Sequence, residues 1–184
     1  MSRKYKFLDQ GQLYFVTFTI VYWIDLFIRN EYKDILLESW NYCIKNKGLE
    51  VYGWCIMTSH VHMIIGSNKS KMEDLNRDIK KYTAAQLYKA IQHHSNESRK
   101  EWMTVLFMKA GAEKGQKIKI WQDHSRPIEL STPFIANQKL EYLHENPVKA
   151  GIVDHAEDYT YSSARDYNGS KGLLAIHFLD PLII

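Results

Sequence analysis

Apolar and polar positions along the chain change period several times, and each change marks an element. Residues 13–22, LYFVTFTIVY, are dense in β-branched and aromatic types and predict a first strand. Ile35, Leu36, Trp40, Cys43 and Ile44 recur at helical spacing. They predict a helix capped at Asn30 and running to about Lys47, with Gly48 at its stop. Residues 49–57 and 60–66 read as a second and a third strand, and only Thr58 and Ser59 separate them. So short a link implies an antiparallel hairpin.

Met72, Leu75, Ile79, Leu87 and Ile91 then mark a long helix over about 71–92, and Trp102, Val105 and Leu106 a second amphipathic piece over about 99–109. KIKIWQ (117–122) and PIEL (127–130) predict short edge strands. Thr132 before Pro133 has the form of an N-cap followed by a first-turn proline. The helix it opens is expected to stop near Asn146, because Pro147 disfavours helical geometry in the residue before it. The order β-α-β-β-α-β predicts an α+β, ferredoxin-like split β-α-β fold: an antiparallel sheet with helices on one face and the other face left for a site. All 184 residues are expected to form a single domain, with a helical insert at about 97–112 and a C-terminal extension at about 150–184.

Composition narrows the class only slightly. Hydrophobic content of 45% and charge of 24% are those of an ordinary globular chain. Two cysteines, Cys43 and Cys55, lie inside apolar patterns and read as buried free thiols of a reducing compartment. No apolar run resembles a signal peptide or approaches the roughly 20 residues of a membrane span, so a cytoplasmic, non-membrane protein is expected. Net charge is only +3, but the cations cluster. Lys69, Lys71, Arg77, Lys80 and Lys81 form one group, and Lys109, Lys114, Lys117 and Lys119 another. Local basic surface of this kind attracts phosphate. Arg77, Lys80, Lys81 and Arg126 are the candidate phosphate contacts, and Trp23 and Trp121 the candidate stacking platforms.

His60 and His62 flank one valine in the third strand, so their side chains share a face with Ile64. The pair has two readings: two hydrogen-bonded strand histidines, or half of a divalent-metal site that needs a further ligand from elsewhere. The Pro133 helix offers one. Ala136, Leu140 and Leu143 form its core stripe. Tyr142 lies about 200° round from Leu140 at 100° per residue, and Asn146 sits one turn beyond Tyr142 on the same side. Tyr82 with Gln86 and Tyr88 with Gln92 share that spacing, so spacing alone does not choose. Tyr82 falls at a stripe position and is expected in the core, whereas Tyr88 lies off the stripe. His144 falls on nearly the opposite face from Tyr142 and is assigned capping or packing, and His124 a solvated loop.

Four stretches, GWCIMTSHVHMII, WQDHSRPIEL, KLEYLHENPVKAGIV and EDYTYSSARDY, together resemble the single-tyrosine HUH transposases, the REP-associated type in particular. The resemblance covers most of the chain. It implies that His60, His62 and Asn146 bind a divalent cation, Mg²⁺ or Mn²⁺, and that Tyr142 is the nucleophile. The implied chemistry is cleavage and rejoining of single-stranded DNA beside hairpins through a 5′-phosphotyrosine. A host-adopted hairpin-binding protein of the same fold, without strand transfer, is the alternative. A water-using metal phosphoesterase is a third reading. Whether the chain acts as a monomer or a homodimer stays open.

Overall fold

A computed structural model describes residues 7–179. Four antiparallel strands, β1 (Tyr14–Thr19), β2 (Leu49–Ile56), β3 (His60–Ser67) and β4 (Ile128–Glu129), form one sheet in the order β2-β3-β1-β4. That is the expected α+β split β-α-β plan. The long helices α1 (Asn30–Lys47) and α2 (Met72–His93) pack against each other, and Trp40 of α1 meets Trp54 of β2 edge-on at 5.9 Å. Gly48 ends α1 in the left-handed region at φ 72°, where a side chain is disfavoured.

The opposite face of the sheet is crossed by α4 (Pro133–Lys149), which follows the insert helix α3 (Lys100–Ala112). Thr132 caps α4 by accepting the Ile135 N–H at 3.2 Å. Leu140 and Leu143 press on the bare backbone of Gly53, where an added Cβ would come within 2.7 Å of Leu140 Cδ1. The helix therefore seats directly on β2.

Several boundaries differ from expectation. α4 does not stop at Asn146 but continues to Lys149 with Pro147 inside it. A helical proline forfeits one N–H bond, yet Pro147 is buried, and bonding resumes from Ala150 N–H to the Asn146 carbonyl at 3.0 Å. Packing outweighs the local preference. α1 begins at Asn30 itself, without a side-chain cap. KIKIWQ forms no strand: only Trp121 bridges Ile20, because β1 gives way there to a tight turn in which Tyr22 and Trp23 both take φ 56°.

The C-terminal extension closes the outer edge of β2. Ser163 N–H donates to the Trp54 carbonyl at 2.9 Å, Ile56 N–H donates to the Tyr161 carbonyl at 3.0 Å, and Cys55 bridges Ser162. An otherwise open edge is thereby paired. Cys43 and Cys55 are buried and free, as expected.

Candidate functional site

The site begins with register. β1 and β3 pair so that Thr17 stands opposite His62 and Thr19 opposite His60, with His60, His62 and Ile64 on the face that α4 crosses. Thr17 Oγ1 lies 2.9 Å from His62 Nδ1 and fixes that ring. The other nitrogen, Nε2, is buried and has no hydrogen-bond partner among the described residues. Buried polar atoms without a partner are uncommon and call for a ligand or another explanation. His62 stacks on Phe15 at 5.2 Å and meets His60 edge-on at 4.8 Å.

Burial pushes the His62 pKa down to about 3, with the charges of His60 and Lys139 adding to the effect. Burial also lowers that of His60, against the opposing pull of Asp25. Both rings are held neutral near pH 7, the form in which imidazole binds a metal.

α4 brings the tyrosine. The Tyr142 ring meets His62 at 5.3 Å and Phe15 at 6.0 Å, both edge-on, while its outer side faces solvent. Tyr142 and the histidine pair of a single chain thus come together without a partner subunit. Asn146, one turn on, donates from Nδ2 to the Tyr142 carbonyl at 2.7 Å, which leaves its amide oxygen as the unused acceptor. Among the described residues no third histidine, cysteine or carboxylate joins the pair in a group able to hold a metal. The neutral rings and an Nε2 without a partner among the described residues suit a divalent ion.

Lys139 was not singled out by the sequence. Its Nζ lies 5.4 Å from the Phe15 ring centre and 5.5 Å from that of Tyr142, and it makes no ion pair among the described residues. Its place one turn before Tyr142 was the available signal.

The other candidates divide. Trp121 is only 5% exposed, donates from Nε1 to Thr83 Oγ1 at 3.0 Å and packs on Phe18 and Phe27. It is a core residue and no stacking platform. Trp23 is 60% exposed, and its ring meets His60 at 5.7 Å. Its left-handed backbone, shared with Tyr22, is a conformation that costs about 1–2 kcal/mol per non-glycine residue. Tyr82 is exposed rather than core, because Thr83 occupies the α2 stripe, and Tyr88 packs partly against the core. Neither lies at the histidine pair. His144 is a packing residue as expected, bonded to Ser163 Oγ at 2.8 Å, and burial pushes its pKa down to about 4.

Arg77 is exposed and paired with Asp74 and Asp78 on α2. Lys80 is turned inward, donating to the Gln122 and Asp123 carbonyls, and burial lowers its pKa to about 8. Lys81 is exposed, and Arg126 is exposed with φ 44°. The two basic clusters of the sequence meet in space. Lys80, Lys81, Lys117 and Lys119 line one groove of about 500 Å³ between α2 and residues 116–123. That segment bonds to the end of β1, Gln122 N–H donating to the Thr19 carbonyl beside His60.

Residues 13–120 match the family described as "Transposase IS200 like". The chain belongs to this family, the single-tyrosine HUH transposases. The matched stretch contains His60 and His62, whereas Tyr142 and Asn146 lie beyond it. Among solved structures, a REP-associated tyrosine transposase bound to a REP hairpin is similar over 100% of this chain and 96% of its own, at 18% identity and a TM-score of 0.64. At that identity the likeness is one of fold. A crystal structure described as a putative transposase from Deinococcus radiodurans R1 covers 79% of this chain and 97% of its own, at 17% identity and a TM-score of 0.44. No curated protein matches. No helix among the described residues is long and apolar enough to cross a membrane.

Proposed function

We propose that this transposase is a metal-dependent strand transferase that cleaves and rejoins single-stranded DNA next to hairpins through a 5′-phosphotyrosine on Tyr142. The observation that carries the reading is the 5.3 Å approach of Tyr142 to a neutral, buried His62 whose Nε2 has no partner among the described residues.

His60, His62 and Asn146 would hold Mg²⁺ or Mn²⁺. When bound, such an ion polarises the scissile phosphate and steadies the charge on the leaving oxygen. The chain's own groups do the rest. The Tyr142 oxygen attacks phosphorus, the phosphorus–O3′ bond breaks, the phenol proton is released and the departing 3′ oxygen takes up a proton. One phosphodiester replaces another, so a second 3′-OH reverses the step without outside energy. The Lys139 ammonium, 5.5 Å from the centre of the Tyr142 ring, is placed to balance the charge of the phosphate.

The groove lined by Lys80, Lys81, Lys117 and Lys119 offers a path for the backbone, with Lys81 and Lys117 exposed, and Arg77 and Arg126 as further contacts. Trp23, beside His60, is the platform for a base. The hairpin in the similar structure supports a folded single strand as substrate.

The test is a labelled hairpin-bearing strand incubated with the protein and Mn²⁺, scored for a denaturant-resistant adduct. The adduct should form with the native chain and vanish with a chelator, with His60→Ala or His62→Ala, and with Tyr142→Phe. Lys139→Gln should slow its formation, and Lys139→Arg should recover most of the rate. Binding without any adduct would favour the hairpin-binding alternative. Cleavage that survives Tyr142→Phe would refute the tyrosine mechanism.

A further inference from the structure

The insert helix α3 has a face that the transposase reading does not use. Its inner side, Met103, Phe107 and Ala110, is buried against the body of the protein. Its outer side is also apolar: Trp102, Val105 and Met108 are 45%, 64% and 48% exposed. A helix apolar on both sides is a helix expected to be covered on both. At 100° per residue, Trp102 and Met108 lie about 60° to either side of Val105. Glu101 and Lys109 lie about 40° to either side of it on the same face. Neither Glu101 nor Lys109 has an ion-pair partner among the described residues.

We infer that this face binds the same face of a second copy of the chain, the two α3 helices running antiparallel about a two-fold axis beside Val105. The charge pattern selects both the partner and the direction. Val105 is the midpoint of the face, with its acid four residues before and its base four residues after. Turning a copy end for end sets Glu101 level with Lys109 of the second copy, twice over by symmetry. Trp102 then stands level with the second copy's Met108, a favourable aromatic–sulfur combination. A parallel arrangement would set like charges level and align the helix dipoles unfavourably. An isologous contact of this kind closes on itself, so it yields a dimer and no filament. DNA fits the face less well, because its centre is uncharged and Glu101 stands on it.

Size sets the strength. Thirteen residues give a helix of about 20 Å. The six exposed apolar side chains of the pair bury less than the roughly 800 Å² per partner of a standard interface. The dimer is therefore weak and reversible, with dissociation in the micromolar range. It is separate from the cleavage site, since Tyr142 and His62 of one chain already meet.

Light scattering or sedimentation of the full chain from about 1 to 100 µM tests it, with circular dichroism to confirm folding of each variant. The native chain should pass from monomer to dimer across that range. Val105→Lys, at an exposed position, should stay monomeric at about 100 µM with unchanged melting. Glu101→Lys and Lys109→Glu should each weaken the dimer alone, and the two changes in one chain should restore it. Mixing the two single variants should also restore association. A native chain monomeric at about 100 µM overturns the inference, as does a dimer indifferent to Val105→Lys. Failure of the charge swap to recover the dimer overturns the antiparallel assignment. Normal adduct formation by a monomeric Val105→Lys chain would leave the transposase reading standing in every case.

Discussion

Thr17 shows how one cross-strand neighbour sets the chemistry of another. Its hydroxyl lies 2.9 Å from His62 Nδ1, which leaves Nε2 as the ring nitrogen without a partner among the described residues. Partners of this kind orient metal-binding imidazoles, and their loss typically costs 10–100-fold in metal affinity. Thr17→Val, which keeps the shape and removes the hydroxyl, should weaken Mn²⁺ binding by about tenfold in a calorimetric titration. An unchanged affinity would show that Thr17 does not orient the ligand. The register that makes this pair was not readable in the sequence. Period two assigned His62 its face, but which β1 residue stood opposite depended on how the strands paired. The two tryptophans make the same point. Trp121 and Trp23 were equal candidates by type, and only packing buried one and exposed the other.

α4 is the element on which the site depends. Its cap and its apolar stripe were legible, since Thr132-Pro133 and the Ala136, Leu140, Leu143 spacing are local features. Its end was not, because burial of Pro147 outweighed the preference that predicts a stop before proline. Nor was its seat. Leu140 and Leu143 reach Gly53, and the missing Cβ there sets how closely Tyr142 approaches His62. Gly53→Val should lift α4 from the sheet. We expect adduct formation to fall by at least tenfold, with a loss of stability of about 1–3 kcal/mol from overpacking. A denaturation curve beside the adduct assay checks this, and an unchanged rate would show that α4 tolerates the displacement.

Over the whole molecule, acid should act on two overlapping sets of groups, the buried histidines His62 and His144 and, lower, the carboxylate Glu97. His144, bonded to Ser163, has its pKa depressed from 6.5 to about 4. The fold binds fewer protons there than the unfolded chain, so this stability is full above about 6.5 and lost as pH falls toward 4. Glu97 is a buried carboxylate that accepts from Arg99, Arg29 and Tyr32, and it ties the start of α3 to α1. Hydrogen bonds from Arg99 lead in depressing its pKa from 4.5 to about 2, so its contribution is lost over that lower window. Urea unfolding across pH should show His144→Gln partly flattening the upper range and Glu97→Gln the lower. At pH 7, Glu97→Gln should also cost about 1–3 kcal/mol, because the half-buried guanidinium groups of Arg29 and Arg99 lose their counter-charge.

What the sequence determined by itself was everything that follows from local periodicity. That covers the order of strands and helices, the shared face of His60 and His62, and the shared side of Tyr142 and Asn146. Each is a consequence of φ and ψ repeating along a few neighbouring residues. Only the tertiary structure decided the relations between elements. It set Tyr142 over His62 with Lys139 beside them, and it joined two lysine clusters, far apart in the chain, into one groove. It also left one apolar face of α3 open to solvent. Periodicity fixes the direction of a side chain from its own backbone, whereas the distance between two backbones is set by the side chains that pack between them.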